Sequence, residues 1–158
     1  MKTAKDICIV HLSSKWINKY YKEENFIELI NLLQQKNILI YLTSDETSRH
    51  GFKKIFDKYS IVYNNEFSKK ALNSNITIFD NLSFFKWSEL INSSKYTITP
   101  ECGCTHIASL CNNKLTVIYD PDNLPDAIMK EYAPWKINYN KLIFNDKELN
   151  NKIISFIE

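Results

Sequence analysis

The sequence predicts an open α/β sheet of six strands, mostly parallel and doubly wound, with helices on both faces. Three observations predict it. Strand-length apolar runs alternate with stretches of helical periodicity about six times along the chain. The first run, residues 7–12, is apolar almost without a break, as a strand buried on both faces would be. Residues 96–119 read as strand, tight loop, short helix and strand, the repeating unit of such a sheet.

The elements follow in order. After the strand at 7–12 comes a polar loop through Ser13, Ser14, Lys15 and Lys19. Residues 22–36 follow helical spacing, with Phe26, Ile27, Leu29, Ile30, Leu32 and Leu33 apolar and Glu23 and Glu24 complementing the dipole at the start. Residues 38–43 form the second strand. Ser44 or Asp45 then caps a helix expected to reach about Tyr59. Short strands follow at 61–63 and 76–79, separated by a polar stretch, 64–75. Leu82 and Ser83 lead a helix carrying Phe84, Phe85, Trp87, Leu90 and Ile91. The fifth and sixth strands are 96–99 and 115–119. Three prolines mark 120–134 as loop, 142–144 is a further candidate strand, and 146–157 is a closing helix. His11, Trp16, Trp87 and Trp135 are assigned to packing.

One domain over residues 1–158 is expected, without repeats or linkers. The net charge of +2 gives no electrostatic case for nucleic acid. No apolar run approaches membrane-spanning length, and residues 1–6 carry no signal-like apolar region. The four cysteines, at 8, 102, 104 and 111, read as free thiols in a reducing cytoplasm. Cys102 and Cys104 with His106 lack the spacing of a zinc site, so no metal is expected; a thiol-redox role is the weakest alternative. The Asn, Lys and Ile usage is compatible with an AT-rich bacterial genome.

In a doubly wound sheet, ligands bind across the carboxyl edge where the strand order reverses. The loops expected there hold Ser13, Ser14 and Lys19; Asp45 and Glu46; Leu82 and Ser83; residues 101–106; and Asp120. Gly103, one of only two glycines, lies in the loop that opens a helix. Glycine permits positive φ and close approach of backbone to a ligand, and a helix start offers free N–H groups. The plain alternative is a tight turn. Hydroxyls, a lysine and a helix start suit a diphosphate, and a neighbouring carboxylate suits ribose, so a nucleotide or nucleotide-sugar site is expected.

Residues 101–108, Glu-Cys-Gly-Cys-Thr-His-Ile-Ala, resemble the signature of glycosyltransferase family 9, the heptosyltransferases of lipopolysaccharide synthesis. That signature runs Asp-Ser/Thr-Gly-x-Ser/Thr-His-Leu/Ile-Ala. Gly103, Thr105, His106, Ile107 and Ala108 fit it; Glu101 and Cys102 depart from it. His11-Leu12-Ser13-Ser14 with Lys19, Ser44-Asp45-Glu46, and residues 117–121 are similar to the family's other loops, with Asp120 in place of glycine.

The resemblance implies a Rossmann-like domain that is one half of a GT-B fold, the half that holds an ADP-heptose-like donor. It implies metal-independent, inverting transfer to a lipopolysaccharide or other glycan acceptor, with no cofactor beyond the nucleotide sugar. The general base belongs to the other half, so no catalytic residue is assigned in this chain. A separate N-terminal half or self-association is the expected partner, and the location is cytoplasmic, at most peripheral to the inner membrane.

By this resemblance Ser13, Ser14 and Lys19 neutralise the diphosphate, with Lys15 as the alternative lysine. Gly103 and Cys104 supply backbone N–H groups, Thr105 binds phosphate through its hydroxyl or caps the helix, and His106 reaches a phosphate oxygen. Glu46, or Asp45, takes ribose or base, and Leu82 packs on the base. Glu101 lies where the family's aspartate contacts the donor side of the cleft, and Cys102 is counted with it among the substrate-binding residues. A non-catalytic nucleotide-binding or scaffold module derived from this fold is the second reading.

Overall fold

The structure, a computed structural model, describes residues 5–64, 66, 74–135 and 138–158. It contains one parallel sheet of seven strands, one more than predicted: β1 (Asp6–His11), β2 (Ile38–Ser44), β3 (Ser60–Tyr63), β4 (Ile76–Asp80), β5 (Tyr96–Pro100), β6 (Lys114–Tyr119) and β7 (Asn140–Ile143). Their order is β3-β4-β2-β1-β5-β6-β7. The seventh, β7, falls on the candidate strand at 142–144, two residues earlier at its start, and pairs through four residues with β6 at the sheet edge. So short a segment carries too little periodicity to separate strand from loop.

Among the described residues the helices are α1 (Glu23–Gln34), α2 (Lys53–Lys58), α3 (Phe84–Asn92), α4 (Gly103–Ser109), α5 (Pro125–Glu131) and α6 (Leu149–Ser155). Alternation along the strands builds two cores. Cys8 and Val10 of β1 join Ile38, Ile40 and Leu42 of β2 beneath α1, α2 and α6. Ile9 and Tyr41, one residue out of step, face α3 and α4 through Ile91, Cys104 and Ala108. A strand whose successive side chains are all buried must be apolar on both faces, which is why 7–12 reads as it does.

Three expectations are corrected. The helix expected from Ser44 or Asp45 to Tyr59 is shorter. Asp45 Oδ1 instead accepts from Thr47 N at 2.9 Å and Ser48 N at 3.0 Å, which closes a local turn. A 3-10 turn, Arg49–Phe52, follows, and Phe52 leaves helical geometry (φ −128°, ψ 36°) before α2 begins. The 120–134 loop contains α5, whose proline at N1 and Asp126 in the first turn are start signals. Trp135 does not pack; it is 81% exposed. Most of 64–75 lies outside the described residues.

Gly51 shows what closes the turn against the β1 loop. A Cβ added there would sit 2.8 Å from Ile17 Cγ1, a side chain packed on the core. Gly51→Ala is therefore expected to lower stability by about 1–3 kcal/mol through overpacking, read as a lower urea midpoint at unchanged m-value.

Candidate functional site

From β1 the chain passes to β2, then out to the edge strand β3, returns to β4 between those two, and crosses to β5 on the other side of β1. The loops leaving β1 and β5 therefore diverge, and a crevice opens between them at the carboxyl edge.

The β1 loop is held from below by Trp16. It ends a 3-10 turn, Ser14–Trp16, that Ser13 caps by accepting from Lys15 N at 3.3 Å. Trp16 is fully buried, and its indole N–H donates to His11 O at 2.7 Å. With the indole buried, the turn lifts Ser14 and Lys15 to the surface. The Lys15 ammonium donates to Glu101 O at 2.6 Å and Glu101 Oε2 at 3.0 Å, which bridges the crevice. Lys19 points elsewhere: its ammonium lies 2.7 Å from Asp122 Oδ2, beyond β6, and the Tyr20 hydroxyl donates to the same carboxylate at 3.0 Å.

On the β5 side, Cys102 is fully extended (φ −170°, ψ −171°) and precedes α4. Its N–H donates to Thr105 Oγ1 at 3.3 Å, and its thiol lies 3.3 Å from Thr99 Oγ1. Thr105 is thus spent on capping and is buried. Gly103 does not use positive φ; it is exposed, and a Cβ built on it meets nothing within 4 Å. The open space above its backbone is where a ligand can approach. His106 is exposed on α4. Burial holds the Cys104 thiol well above the ordinary thiol range and raises Cys102 as well, so both are protonated and poor nucleophiles at neutral pH. Among the described residues no group of three or more His, Cys, Asp or Glu is arranged to hold a metal.

Two cavities flank this crevice. One, about 120 Å³, lies over the ends of β1, β2 and β4 and is lined by His11, Ser44, Asp45, Phe79, Asn81, Leu82 and Trp87. The other, about 170 Å³, lies over β5 and β6, with Lys15, Glu101, Asp120 and Asn123 on its polar side and Ile118, Pro125 and Ile128 on its apolar side. A wider groove of about 440 Å³ runs between the starts of α1 and α6. Its walls come from none of the loops after β2, β4 or β5. Polar groups there bond one another, as Tyr21 Oη does with Asn150 Oδ1 at 2.7 Å.

In the smaller cavity His11 is buried, with Nδ1 2.9 Å from Thr43 Oγ1 and its ring 5.1 Å from that of Trp87. Burial lowers its pKa to about 4, against a smaller opposing pull from Asp45. Burial raises Asp45 in turn, but hydrogen bonds from Thr47 and Ser48 outweigh this and leave it below the usual carboxylate range. Trp87 donates to Thr43 Oγ1 at 3.3 Å, so its packing role places it on a cavity wall.

Glu46 stands outside this cavity, accepting from the Tyr63 hydroxyl at 3.2 Å. Of the two acids left open by the sequence, Asp45 is the one at the cavity. The sequence did not mark buried Asp80. It accepts from Ser44 Oγ at 2.9 Å, lies 2.5 Å from Nη2 of Arg49, the chain's single arginine, and so ties the ends of β2 and β4 together.

The structure thus brings Ser13, Ser14, Glu101, Cys102 and Gly103 to the crevice, with Leu82 on one cavity wall. It carries Lys19 and Glu46 to other partners. The family model of glycosyltransferase family 9 (heptosyltransferase) matches residues 2–152. The chain belongs to glycosyltransferase family 9.

The fold agrees with family 9. It superposes on the E. coli heptosyltransferase WaaC solved with ADP with a TM-score of 0.70 at 15% identity, over 99% of this chain and 45% of that one. It superposes on the E. coli ADP-heptose lps heptosyltransferase II with a TM-score of 0.67 at 10% identity, over 97% of this chain and again 45% of the other. The chain therefore spans under half the length of these two. No curated protein matches it. Among the described residues, no helix is long and apolar enough to cross a membrane.

Proposed function

We propose that this chain is the donor-binding half of a family 9 glycosyltransferase. It binds a nucleoside diphosphate sugar of the ADP-heptose kind for transfer to a lipopolysaccharide or other glycan acceptor. One observation carries the reading: two cavities lie on either side of a switch-point crevice whose centre is the open backbone of Gly103. The base and ribose fit the cavity between Leu82, Trp87 and Asp45. The sugar fits the cavity beside Glu101 and Asp120. The diphosphate then crosses Gly103 between Ser13–Ser14 and His106.

This half stabilises the leaving group. Backbone N–H groups and a lysine fixed before reaction meet the charge that grows on the diphosphate as the glycosidic bond breaks. The reaction as proposed calls for no metal. Activation of the acceptor hydroxyl falls to a base on the other half, carried by a separate chain or segment. Work of this kind suits the cytoplasmic side of a membrane, where the protein would sit peripherally.

Calorimetric titration with ADP, UDP and GDP tests the proposal. ADP is expected to bind, and Gly103→Val to weaken it at least about tenfold by filling the space the diphosphate needs. The fold should tolerate the change, because the first added carbon, Cβ, meets no protein atom within 4 Å. His106→Ala should weaken binding as well. A wild-type chain that binds none of the three nucleotides and no nucleotide sugar would refute the donor reading and leave a non-catalytic module of the same fold.

A further inference from the structure

The donor reading assigns a lysine to the diphosphate, and the structure offers two. Lys19 is committed to Asp122, which also holds the Tyr20 hydroxyl. Lys15 stands at the crevice, and Glu101 grips its ammonium twice, through the main-chain carbonyl at 2.6 Å and the carboxylate at 3.0 Å. The Lys15 side chain is 54% exposed and the Glu101 side chain 21%. The lysine side chain is therefore more than half open to solvent, while the glutamate side chain is mostly covered.

We propose that Glu101 is a positioning residue for Lys15, a latch whose carboxylate competes with the diphosphate for the same ammonium. This inference rests on the donor reading above.

The chemistry follows from donor count and charge. An ammonium has three N–H donors, and Glu101 uses two, one at each oxygen. The carbonyl contact is geometric and survives ligand binding; it keeps the lysine stem over the crevice. The carboxylate contact is the exchangeable one, because a diphosphate offers the ammonium more charge and more acceptor oxygens than one carboxylate does. Glutamate suits this double grip. An aspartate at 101 would end about 1.5 Å sooner and would have to turn away from its own carbonyl to reach the same nitrogen. The latch lets Lys15 be held in place before a ligand arrives, and it makes the empty site less attractive to weak anions than a bare lysine would be.

The test is a double-mutant cycle on the full chain, read by ADP titration, with a thermal melt of each variant. Lys15→Ala should weaken ADP at least about tenfold, and Lys19→Ala should change it by less than about twofold. Glu101→Gln should tighten ADP by about three- to tenfold, since the amide no longer competes for the ammonium. In the Lys15→Ala background the same Glu101→Gln change should have no effect. A merely structural role for Glu101 cannot produce tighter binding that vanishes with Lys15.

Loss of binding in Lys19→Ala with binding retained in Lys15→Ala overturns the inference and leaves the donor reading intact. So does weaker binding in Glu101→Gln in both backgrounds, which would make Glu101 a direct ligand. A wild-type chain that binds no ADP, UDP or GDP removes both.

Discussion

Replacing Trp16 by alanine is expected to cost the fold about 3–5 kcal/mol, the range for deleting a large buried aromatic. Trp16 is fully buried, and its ring meets those of Tyr21 at 5.3 Å, Phe26 at 5.1 Å and Phe144 at 5.7 Å. Those three rings come from the β1 loop, from α1 and from the chain beyond β7, so one side chain joins distant parts of the sheet edge. The truncation also strips His11 O of its indole donor, a buried acceptor left without that partner. Urea denaturation gives the cost; a loss below about 1 kcal/mol would show that the surrounding rings refill the space.

Trp16→Phe is the milder test. It keeps a six-membered ring but loses the N–H and the rest of the indole, and His11 O still accepts from Ser13 N at 2.9 Å, so it should cost about 1–3 kcal/mol. Function should follow position. The turn that Trp16 anchors carries Ser13, Ser14 and Lys15, so nucleotide affinity should fall in Trp16→Ala even under conditions where the chain is still folded. A variant that is destabilised yet binds ADP as the wild type does would separate the loop's stability from its role in the site.

The parts of this molecule that sequence shows are those where burial forces a pattern. β1, β5 and β6 are buried on both faces; β1 and β6 read as largely apolar runs, and β5 alternates apolar residues with threonine. The β5 loop was visible because a chain with two glycines places one there. α5 was hidden because none of its residues is buried. Without a buried stripe there is no helical period to find, and the prolines around it read as loop. Trp135 was placed inside on the general preference of aromatic side chains for burial, and nothing local could say otherwise.

The lysine of the crevice was ambiguous for a different reason. Lys15 and Lys19 are close in sequence and alike in chemistry. The 3-10 turn held by Trp16 presents Lys15 to a carboxylate 86 residues away, and that contact exists only once β1 and β5 lie side by side. The same holds for Asp80. An acid at the end of a strand looks like a loop residue until the 3-10 turn delivers Arg49 to it. Glu46 and Asp45 differ by one position, and the hydrogen bonds of the turn at Thr47 and Ser48 decide which of them faces the cavity.

Stability is expected to fall steeply as pH drops from about 6.5 to about 4, and His11 is the residue to which the steepness is assigned. Its ordinary value is 6.5, and burial lowers it to about 4 in the folded chain, with Asp45 opposing in part. Between these two values the unfolded chain binds a proton at His11 and the folded chain does not. Protons therefore favour the unfolded state. The stabilisation is fully present above the unfolded value and is lost as pH falls through the window toward the folded one. Its full size is about 3 kcal/mol, from about 1.36 kcal/mol for each pH unit.

Carboxylates also titrate at the lower end, Asp45 among them, so the comparison must be with a variant. His11→Gln keeps a side chain able to hydrogen-bond Thr43 and has no proton to gain. It should flatten the profile between pH 6.5 and 4.5 and leave the drop below 4.5 in place. An unchanged slope in His11→Gln would mean that other groups carry the dependence. The neutral imidazole also bears on function. At pH 7 the cavity beside Leu82 and Trp87 holds no positive charge from His11, which suits an uncharged base. On the donor reading, bound ADP should deepen the acid dependence, because protonating His11 would place a buried cation beside the cavity proposed for the base.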